Sequence, residues 1–196
     1  MIEIERKFII PALPAQIHQY PCHQLEQAYL NTDPVVRIRR QDQEYYLTYK
    51  GKGLLSREEY NLPLDRDSYL HLLEKADGYV ITKTRYCIPL MHPVFSFDQP
   101  LMHDSHPDLS PHLLPDASGT YTPSPKAQTA LPETLMIELD VFHPPFAPLL
   151  MAEIEFTDES LARAFQPPAW FGREVTLDPS FHNSSMSRHG LPPVCI

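Results

Sequence analysis

The sequence has few of the residues that mark extracellular, membrane-bound or zinc-binding proteins. Its three cysteines, Cys22, Cys87 and Cys195, are far apart and include no Cys-x-x-Cys pair, which argues against a disulfide framework or a zinc site and favours reduced thiols. No apolar run approaches the ~20 residues that a membrane span needs. The chain starts directly with an acidic, alternating pattern, so we expect no signal peptide. These absences together predict a cytoplasmic protein.

Basic residues are also scarce relative to acidic ones. The 16 lysines and arginines face 25 aspartates and glutamates, which gives a formal net charge of −9. Such a chain lacks the exposed basic field that binding to nucleic acid or to an anionic membrane requires. A small polyanionic ligand is still compatible with this charge, because the bases could concentrate in one cavity and a divalent metal could add positive charge there.

The length of 196 residues suffices for one domain with a hydrophobic core, and we predict a single domain, 1–196, with one insertion. The insertion, 92–133, holds eight prolines, four histidines and one glycine. We expect it to be extended and flexible, apart from local packing at 94–97. The irregular spacing of its histidines favours a solvated loop over a metal site.

What the sequence does contain is a repeated alternation of charged and apolar residues, which is typical of half-buried β-strands. In the first segment, about 1–10, this alternation puts Glu3, Glu5 and Lys7 on one face of a strand. Further strands are predicted at 25–31, 35–40, 45–50, 56–62, 79–89, 134–142 and 149–156, with a short one at 174–176. Helices are predicted at 15–20, at 69–76 between an Asp67-Ser68 cap and Gly78, and at 159–165.

Seven bases and seven acids fall on one face of these strands. The bases are Lys7, Arg37, Arg39, Lys50, Arg57, Lys83 and Arg85, and the acids are Glu3, Glu5, Glu59, Glu138, Asp140, Glu153 and Glu155. In an open sheet this face would lie in water, whereas in a closed barrel it would line a tunnel. Arginine suits phosphate oxygens, and the Glu-x-Glu and Glu-x-Asp pairs suit Mg²⁺ or Mn²⁺. The pattern therefore favours a β-dominated α+β fold, a closed eight-stranded antiparallel barrel with a few surface helices.

Several of these segments carry the motifs of a known family. The stretch Glu3-Ile4-Glu5-Arg6-Lys7-Phe8 resembles the ExExK signature of the CYTH superfamily, the triphosphate tunnel metalloenzymes. The similarity continues at 27–30, 36–39, 46–51, 57–60, 83–86, 137–142, 152–155 and 168–176, and so covers nearly the whole chain except 92–133. It implies an eight-stranded tunnel that hydrolyses or cyclises triphosphate compounds with a divalent metal. Close bacterial relatives resemble inorganic triphosphatases.

The resemblance also implies roles for the in-phase residues. One or two Mg²⁺ or Mn²⁺ ions would be held by Glu3, Glu5, Glu138, Asp140, Glu153 and Glu155. The phosphate chain would be bound by Lys7, Arg37, Arg39, Lys50, Arg57, Lys83 and Arg85. Catalytic roles fall to Glu5, Lys7 and Lys83, and the remaining tunnel-lining residues are Tyr29, Thr48, Glu59 and Asn61. For Arg57 and Glu59 an ordinary salt bridge in the wall is an equally good interpretation.

The function predicted on this basis is metal-dependent hydrolysis of tripolyphosphate to pyrophosphate and phosphate. The alternatives are a class IV-type adenylate cyclase or a thiamine triphosphatase of the same fold, a non-catalytic polyphosphate-binding module, and a protein-interaction domain that works through the Pro-rich insertion. The sequence shows no evident adenine pocket, which favours an inorganic chain. Asn61 stands where the family often has a second acid, which predicts an altered substrate or metal preference. Monomer and homodimer both remain open.

Overall fold

The alternating segments fold into strands whose two faces differ in chemistry. The computed structural model describes residues 2–97 and 131–193. Within these ranges the strands are β1 (Ile2–Ile9), β2 (Cys22–Thr32), β3 (Val35–Gln41), β4 (Glu44–Lys50), β5 (Ser56–Leu64), β6 (Asp77–Met91), β7 (Val94–Phe95), β8 (Thr134–Phe142), β9 (Leu150–Glu155) and β10 (Phe165–Gln166). Eight of them form a closed barrel in the order β1-β5-β4-β3-β2-β6-β8-β9, and every pair is antiparallel. The predicted closed barrel is confirmed, and the open sheet is excluded.

The outer face of the barrel is apolar and is covered by short helices. Helix α1 (Arg66–Leu73) buries Tyr69 against Ala28 and Ile38, while α2 (Glu159–Ala164) buries Leu161 against Ile4 and Ile154. Fully burying side chains of this size stabilises a fold by roughly 1.5–3 kcal/mol each. The helices therefore fix the charged faces of the strands toward the barrel interior.

The interior itself changes from polar to apolar along its length. On β1, β6, β8 and β9, the inward face that carries the charged residues also carries one apolar residue near one end of the barrel. These residues are Ile9, Ile81, Phe142 and Met151, and they pack together in one cluster. The C-terminal segment completes this cluster with three buried side chains, Val175, Phe181 and Met186. One end of the barrel is thus closed by an apolar plug, and the charged cavity lies above it.

The plug rests on helix α3 (Asn183–His189), which packs against β6 and β2. Gly78 on β6 makes this approach possible, since a Cβ there would lie 2.3 Å from the Ser187 carbonyl oxygen, and its φ of +76° also suits glycine. The Ser187 hydroxyl donates to the Tyr79 carbonyl at 2.8 Å. The sequence patterns predicted no helix in this part of the chain, and α3 is therefore an addition to the predicted elements.

Other predicted boundaries also need correction. Helix α1 starts three residues earlier than predicted, because the carboxylate of Asp65 caps it by accepting from the Ser68 amide at 2.7 Å. Gly78 belongs to β6 and does not end that helix. The helix predicted at 15–20 is a single 3₁₀ turn, Ile17–Gln19, and the strand predicted at 174–176 is reduced to one bridge, between Phe8 and Glu174.

The insertion is only partly within the described residues. The local packing predicted at 94–97 holds for Phe95, which β7 brings opposite Phe165 on β10, whereas Val94 and Phe97 are exposed. Residues 98–130, which carry most of the prediction, lie outside the described ranges. None of the helices in 2–97 and 131–193 has the length and apolar character that a membrane crossing needs.

Candidate active site

The charged faces converge on a cavity of about 180 Å³ inside the barrel. This volume is many times the ~10–15 Å³ that one water molecule requires, so a small ligand can enter. All seven predicted bases line it, together with six of the predicted acids, Glu3, Glu5, Glu59, Glu138, Glu153 and Glu155. The residues whose site role was not predicted are Leu25, Gln27, Val35, Gln41, His182, Asn183 and Ser184.

Three predicted site residues line the cavity less directly or not at all. Asp140 is fully buried behind the wall and contacts Lys83 and Arg85. Thr48 is also fully buried, and its hydroxyl accepts from Arg37 at 3.3 Å. Tyr29 is 3% exposed and lines the cavity through the end of its ring, where its hydroxyl accepts from Gln27 at 3.4 Å.

Lys7 lies between two carboxylates on the wall formed by β1 and β9. Its Nζ is 2.5 Å from Glu153 and 3.0 Å from Glu5, and all three side chains are almost completely buried. Burial alone would lower the pKa of Lys7, but the two carboxylates more than offset it and raise the pKa above its usual range. Lys7 is therefore held as a cation at every physiological pH.

Lys83 and Arg85 on β6 share the carboxylate of Asp140 on β8. Arg85 donates to Asp140 through Nε and Nη2, both at 2.7 Å, and reaches Glu153 at 2.6 Å and Glu138 as well. Lys83 donates to the same carboxylate. Its pKa is lowered because burial outweighs the attraction of Asp140. Asp140 thus orients two bases at once, each with its remaining donors directed toward the cavity.

The opposite wall contains a second ion-pair network. Lys50 contacts Glu3 at 2.7 Å and Glu59 at 2.5 Å, while Arg57 bridges Glu3 at 2.9 Å and Glu5 at 2.8 Å. Burial would raise the pKa of Glu59, but Lys50 and Arg37 lower it to about 2. Arg57 thus makes salt bridges in the wall, with Glu3 and Glu5 where the sequence suggested Glu59, and it also lines the cavity, where it can contact a ligand.

Arg37 and Arg39 on β3 differ from the other five bases. No ion pair joins either of them to a carboxylate within the described ranges, and the buried Nε atom of each has no hydrogen-bond partner there. Arg39 is stacked on the Tyr46 ring at 5.6 Å. Burial and the neighbouring Arg37 and Arg85 cations lower the pKa of Arg39 to about 10. These two guanidiniums form the part of the wall where positive charge is not neutralised.

Negative charge accumulates at the opposite rim of the cavity. Glu155 is exposed there and makes no ion pair with any described residue, although its strand neighbours are paired. Burial of its carboxylate and the nearby Glu138, Glu3 and Glu5 raise the pKa of Glu155 to about 7. Because the neighbouring carboxylates disfavour the charged form of Glu155, a cation bound at this place would be stabilised.

This donor set suits a hard divalent cation, although the acids are not arranged as ligands in the described structure. No group of three acid, histidine or cysteine side chains converges at ligating geometry among residues 2–97 and 131–193, because the wall bases occupy most of the carboxylates. All the candidate donors are carboxylate oxygens, which Mg²⁺ and Mn²⁺ prefer. Independently of the donor type, the raised pKa of Glu155 indicates that the negative charges at the rim are not balanced by nearby positive charge.

Asn61 has a defined structural part in the wall. Its amide nitrogen donates to Glu59 at 2.7 Å, and its amide oxygen accepts from the Thr48 hydroxyl at 2.6 Å. A carboxylate at this position would lose the donor to Glu59 and would repel it. The amide therefore links Thr48 and Glu59 in a way that the acid common in the family could not.

The barrel and its charged cavity define the class of protein to which the chain belongs. The model of the CYTH domain family matches residues 1–99. The inorganic triphosphatase of Nitrosomonas europaea is 34% identical over 191 residues, which cover 95% of this chain and 97% of the relative. The chain is a member of the CYTH domain family.

More distant relatives agree with this assignment. The inorganic triphosphatase of Acetivibrio thermocellus is 27% identical over 190 residues, covering 95% of this chain and 94% of the relative. The crystal structure of the inorganic triphosphatase NE1496 is 29% identical, with a TM-score of 0.56 and coverage of 98% of this chain and 97% of that one. A putative adenylate cyclase from Bacillus halodurans shares the fold at 16% identity, with a TM-score of 0.51 and coverage of 98% and 93%.

Proposed function

We propose that this protein hydrolyses the terminal phosphoanhydride bond of a triphosphate, with inorganic tripolyphosphate as substrate and pyrophosphate and phosphate as products. The observation that carries the proposal is the pair of uncompensated guanidiniums, Arg37 and Arg39, in the wall of an enclosed cavity. Positive charge in a protein interior is costly when no carboxylate is paired with it, so a bound anion would be stabilised at this place. The two relatives named as inorganic triphosphatases support the same substrate class.

The bases would bind the phosphate chain in two groups. Arg37 and Arg39 would supply guanidinium donors that are not ion-paired with a described carboxylate, and such groups match phosphate oxygens in pairs. The other five bases would bind further phosphate oxygens, and each is already oriented by a carboxylate of the wall. They are Lys7, Lys50, Arg57, Lys83 and Arg85. A wall that is positioned before the substrate arrives loses little energy to reorganisation during phosphoryl transfer.

The carboxylates that line the cavity would hold one or two Mg²⁺ or Mn²⁺ ions. The donors proposed are Glu3, Glu5, Glu138, Glu153 and Glu155, while Asp140 would chiefly orient Lys83 and Arg85. A divalent ion bound there would neutralise phosphate charge and polarise a phosphoryl oxygen. Phosphate oxygens that draw Lys50 and Arg57 toward the substrate would release Glu3 and Glu5, so the acids and bases of the wall would be freed together.

In the reaction, the oxygen of a water molecule forms a bond to the terminal phosphorus and the bridging P–O bond breaks. Pyrophosphate leaves with the electron pair of that bond, and the water loses a proton to solvent or to a carboxylate of the cavity. Lys7 and Lys83 are positioned to offset the charge that moves onto the oxygens during this step, because both are buried cations in the wall. Glu5 would act by holding Lys7 and Arg57 in place.

The lining of the cavity favours an inorganic chain over a nucleotide or a thiamine compound. Its described residues are mainly charged. Its aromatic rings are Tyr29, which is 3% exposed and so poorly placed to stack on a base, and the small imidazole of His182. We further propose a reducing compartment such as the cytoplasm, because Cys22 and Cys87 are both free thiols.

The experiment is phosphate release from tripolyphosphate, ATP and thiamine triphosphate, with Mg²⁺, with Mn²⁺ and with chelator. Tripolyphosphate should be cleaved fastest, only with metal, and the variants Glu5→Gln and Lys83→Ala should lose most of the activity. The matched control is Glu58→Gln, which neutralises an exposed acid next to Arg57 on the outer face of β5 and should leave the rate unchanged. Failure to cleave any of the three compounds with either metal would overturn the proposal.

A further inference from the structure

The C-terminal segment brings a histidine to the closed end of the cavity. His182 lies between the buried Phe181 and helix α3, and its ring lines the cavity. The Nε2 atom is buried and has no hydrogen-bond partner among the described residues, and the neighbouring Asn183 Oδ1 is buried in the same state. Two unpaired polar atoms at one point are unusual in a folded protein, because each such group costs about 1–3 kcal/mol when it stays unsatisfied.

A second cavity lies on the far side of this histidine. Its volume is about 260 Å³, and its own walls include Thr32, Lys52 and Gly53. The two cavities share Val35, Arg57, His182 and Ser184 as lining residues. These four side chains are therefore the partition between the charged cavity and the second one.

His182 is the member of this partition that combines bulk with an unused polar atom. Val35 offers no hydrogen bond, and Arg57 is fixed by Glu3 and Glu5. The Thr176 backbone carbonyl holds the other side of the imidazole, which leaves Nε2 directed away from that carbonyl. Burial and the nearby Lys7 and Arg57 lower the pKa of His182, so the ring is neutral in the empty cavity.

We propose that His182 sets the length of the phosphate chain that this protein accepts. The imidazole is the end wall against which the third phosphate rests, and its Nε2 shares a hydrogen bond with an oxygen of that phosphate. This inference rests on the proposed function. A terminal phosphate loses its last proton at a pKa of roughly 6, so at about pH 6 and below it carries the proton that it donates to the unprotonated Nε2. Removal of the ring would join the charged cavity to the 260 Å³ cavity and admit a fourth phosphate.

The test compares tripolyphosphate with tetrapolyphosphate in the wild type and three variants. In His182→Ala, the ratio of kcat/KM for tripolyphosphate to that for tetrapolyphosphate should fall at least about tenfold, since both the wall and the hydrogen bond are lost. His182→Phe keeps the wall without the polar atom, so it should retain the preference for three phosphates but raise the KM for tripolyphosphate. His189→Ala is the matched control, because this histidine is exposed at the end of the helix that follows His182 and its side-chain hydrogen bonds to described residues are with Ser185.

The outcomes separate this inference from the proposed function. If the wild type cleaves tripolyphosphate and a folded His182→Ala protein keeps the wild-type ratio within twofold, the inference is overturned and the hydrolase stands. If the wild type cleaves neither chain, the function proposal fails, and calorimetric titration of both chains into wild type and His182→Ala still decides the length selectivity. If His182→Ala does not fold, an unchanged tripolyphosphate KM in His182→Phe overturns the hydrogen bond.

Discussion

The two halves of the cavity wall hold the same kind of charge in different ways. Lys83 and Arg85 form ion pairs with Asp140, and all three side chains are buried in the wall. Arg37 is buried and Arg39 is partly buried, but neither has a carboxylate ion-pair partner in the described part of the chain. The ion-paired half can stabilise the empty protein by itself, whereas the unpaired half lowers its energy when an anion binds. The difference separates the structural charges of this barrel from those that recognise a ligand.

This comparison predicts opposite effects of mutation on stability and on binding. If one partner is removed from the ion-paired half, a buried charge is left uncompensated, so the main effect should be a lower free energy of unfolding. If a base is removed from the unpaired half, the empty protein loses a charge that contributes little to its stability, so the main effect should be a lower affinity for the ligand. Three substitutions test this contrast, and they are taken in order of the size of their effect.

The largest effect is expected from Asp140→Asn. This change keeps the shape of the side chain but removes the charge shared by Lys83 and Arg85, so both cations lose their main partner in a fully buried place. The free energy of unfolding, measured by urea titration, should drop by about 3–5 kcal/mol. A loss below about 1 kcal/mol would mean that these ion pairs do not hold the wall together.

An intermediate effect is expected from Arg39→Met, which keeps much of the packing on Tyr46. Tripolyphosphate kcat/KM should fall about 10–100-fold, as for the loss of a charged hydrogen bond, while the free energy of unfolding stays constant or rises. Arg40→Met is the control, since Arg40 is the next residue on β3, is half-exposed on the other face and lies 3.9 Å from Glu26. Equal losses of activity in the two variants would remove Arg39 from the binding site.

The smallest effect is expected from Glu155→Gln and depends on pH. The folded-state pKa of Glu155, about 7, lies above its ordinary value, so the stability gained by its protonation is present at low pH and is lost as the pH rises through 7. The variant stays neutral and should melt roughly 2–4 °C higher than the wild type at pH 8, with no difference at pH 4, where the wild-type carboxyl is protonated too. The expected effect is small because solvent screens the charge of a rim carboxylate. Added Mg²⁺ should raise the wild-type Tm more than that of the variant, and a pH-independent difference would contradict the crowding argument.

The barrel could be predicted because each strand repeats its charged and apolar faces over six or more residues. Glu3, Glu5 and Lys7 share one face by the period of a strand alone, and so do Arg37 and Arg39. The same reasoning identified the acids and bases without deciding which of them form pairs. That Asp140 lies behind Lys83 and Arg85, rather than in the cavity, depends on the register between β6 and β8. Strand register across a barrel is a non-local property that a single sequence does not contain.

The apolar plug and His182 could not be predicted for a related reason. Helix α3 is only seven residues long, and its sequence, Asn183–His189, has one strongly apolar residue, Met186, so it shows no helical periodicity. Its stability comes from the tertiary contact with Gly78 and Tyr79 on a strand more than 100 residues earlier. The residue in the sequence that could have indicated this contact is Gly78. It was assigned to the end of a helix, but its lack of a side chain allows α3 to pack closely against β6.

The central claim is tested most directly by calorimetric titration of tripolyphosphate, in the presence of chelator, into wild-type protein and into the double variant Arg37→Met/Arg39→Met. The account predicts one site per chain in the wild type, and a loss of affinity of at least about 100-fold in a double variant that remains folded. Equal affinity in the two proteins would contradict it, because the anion would then bind without the two guanidiniums that have no carboxylate ion pair among the described residues.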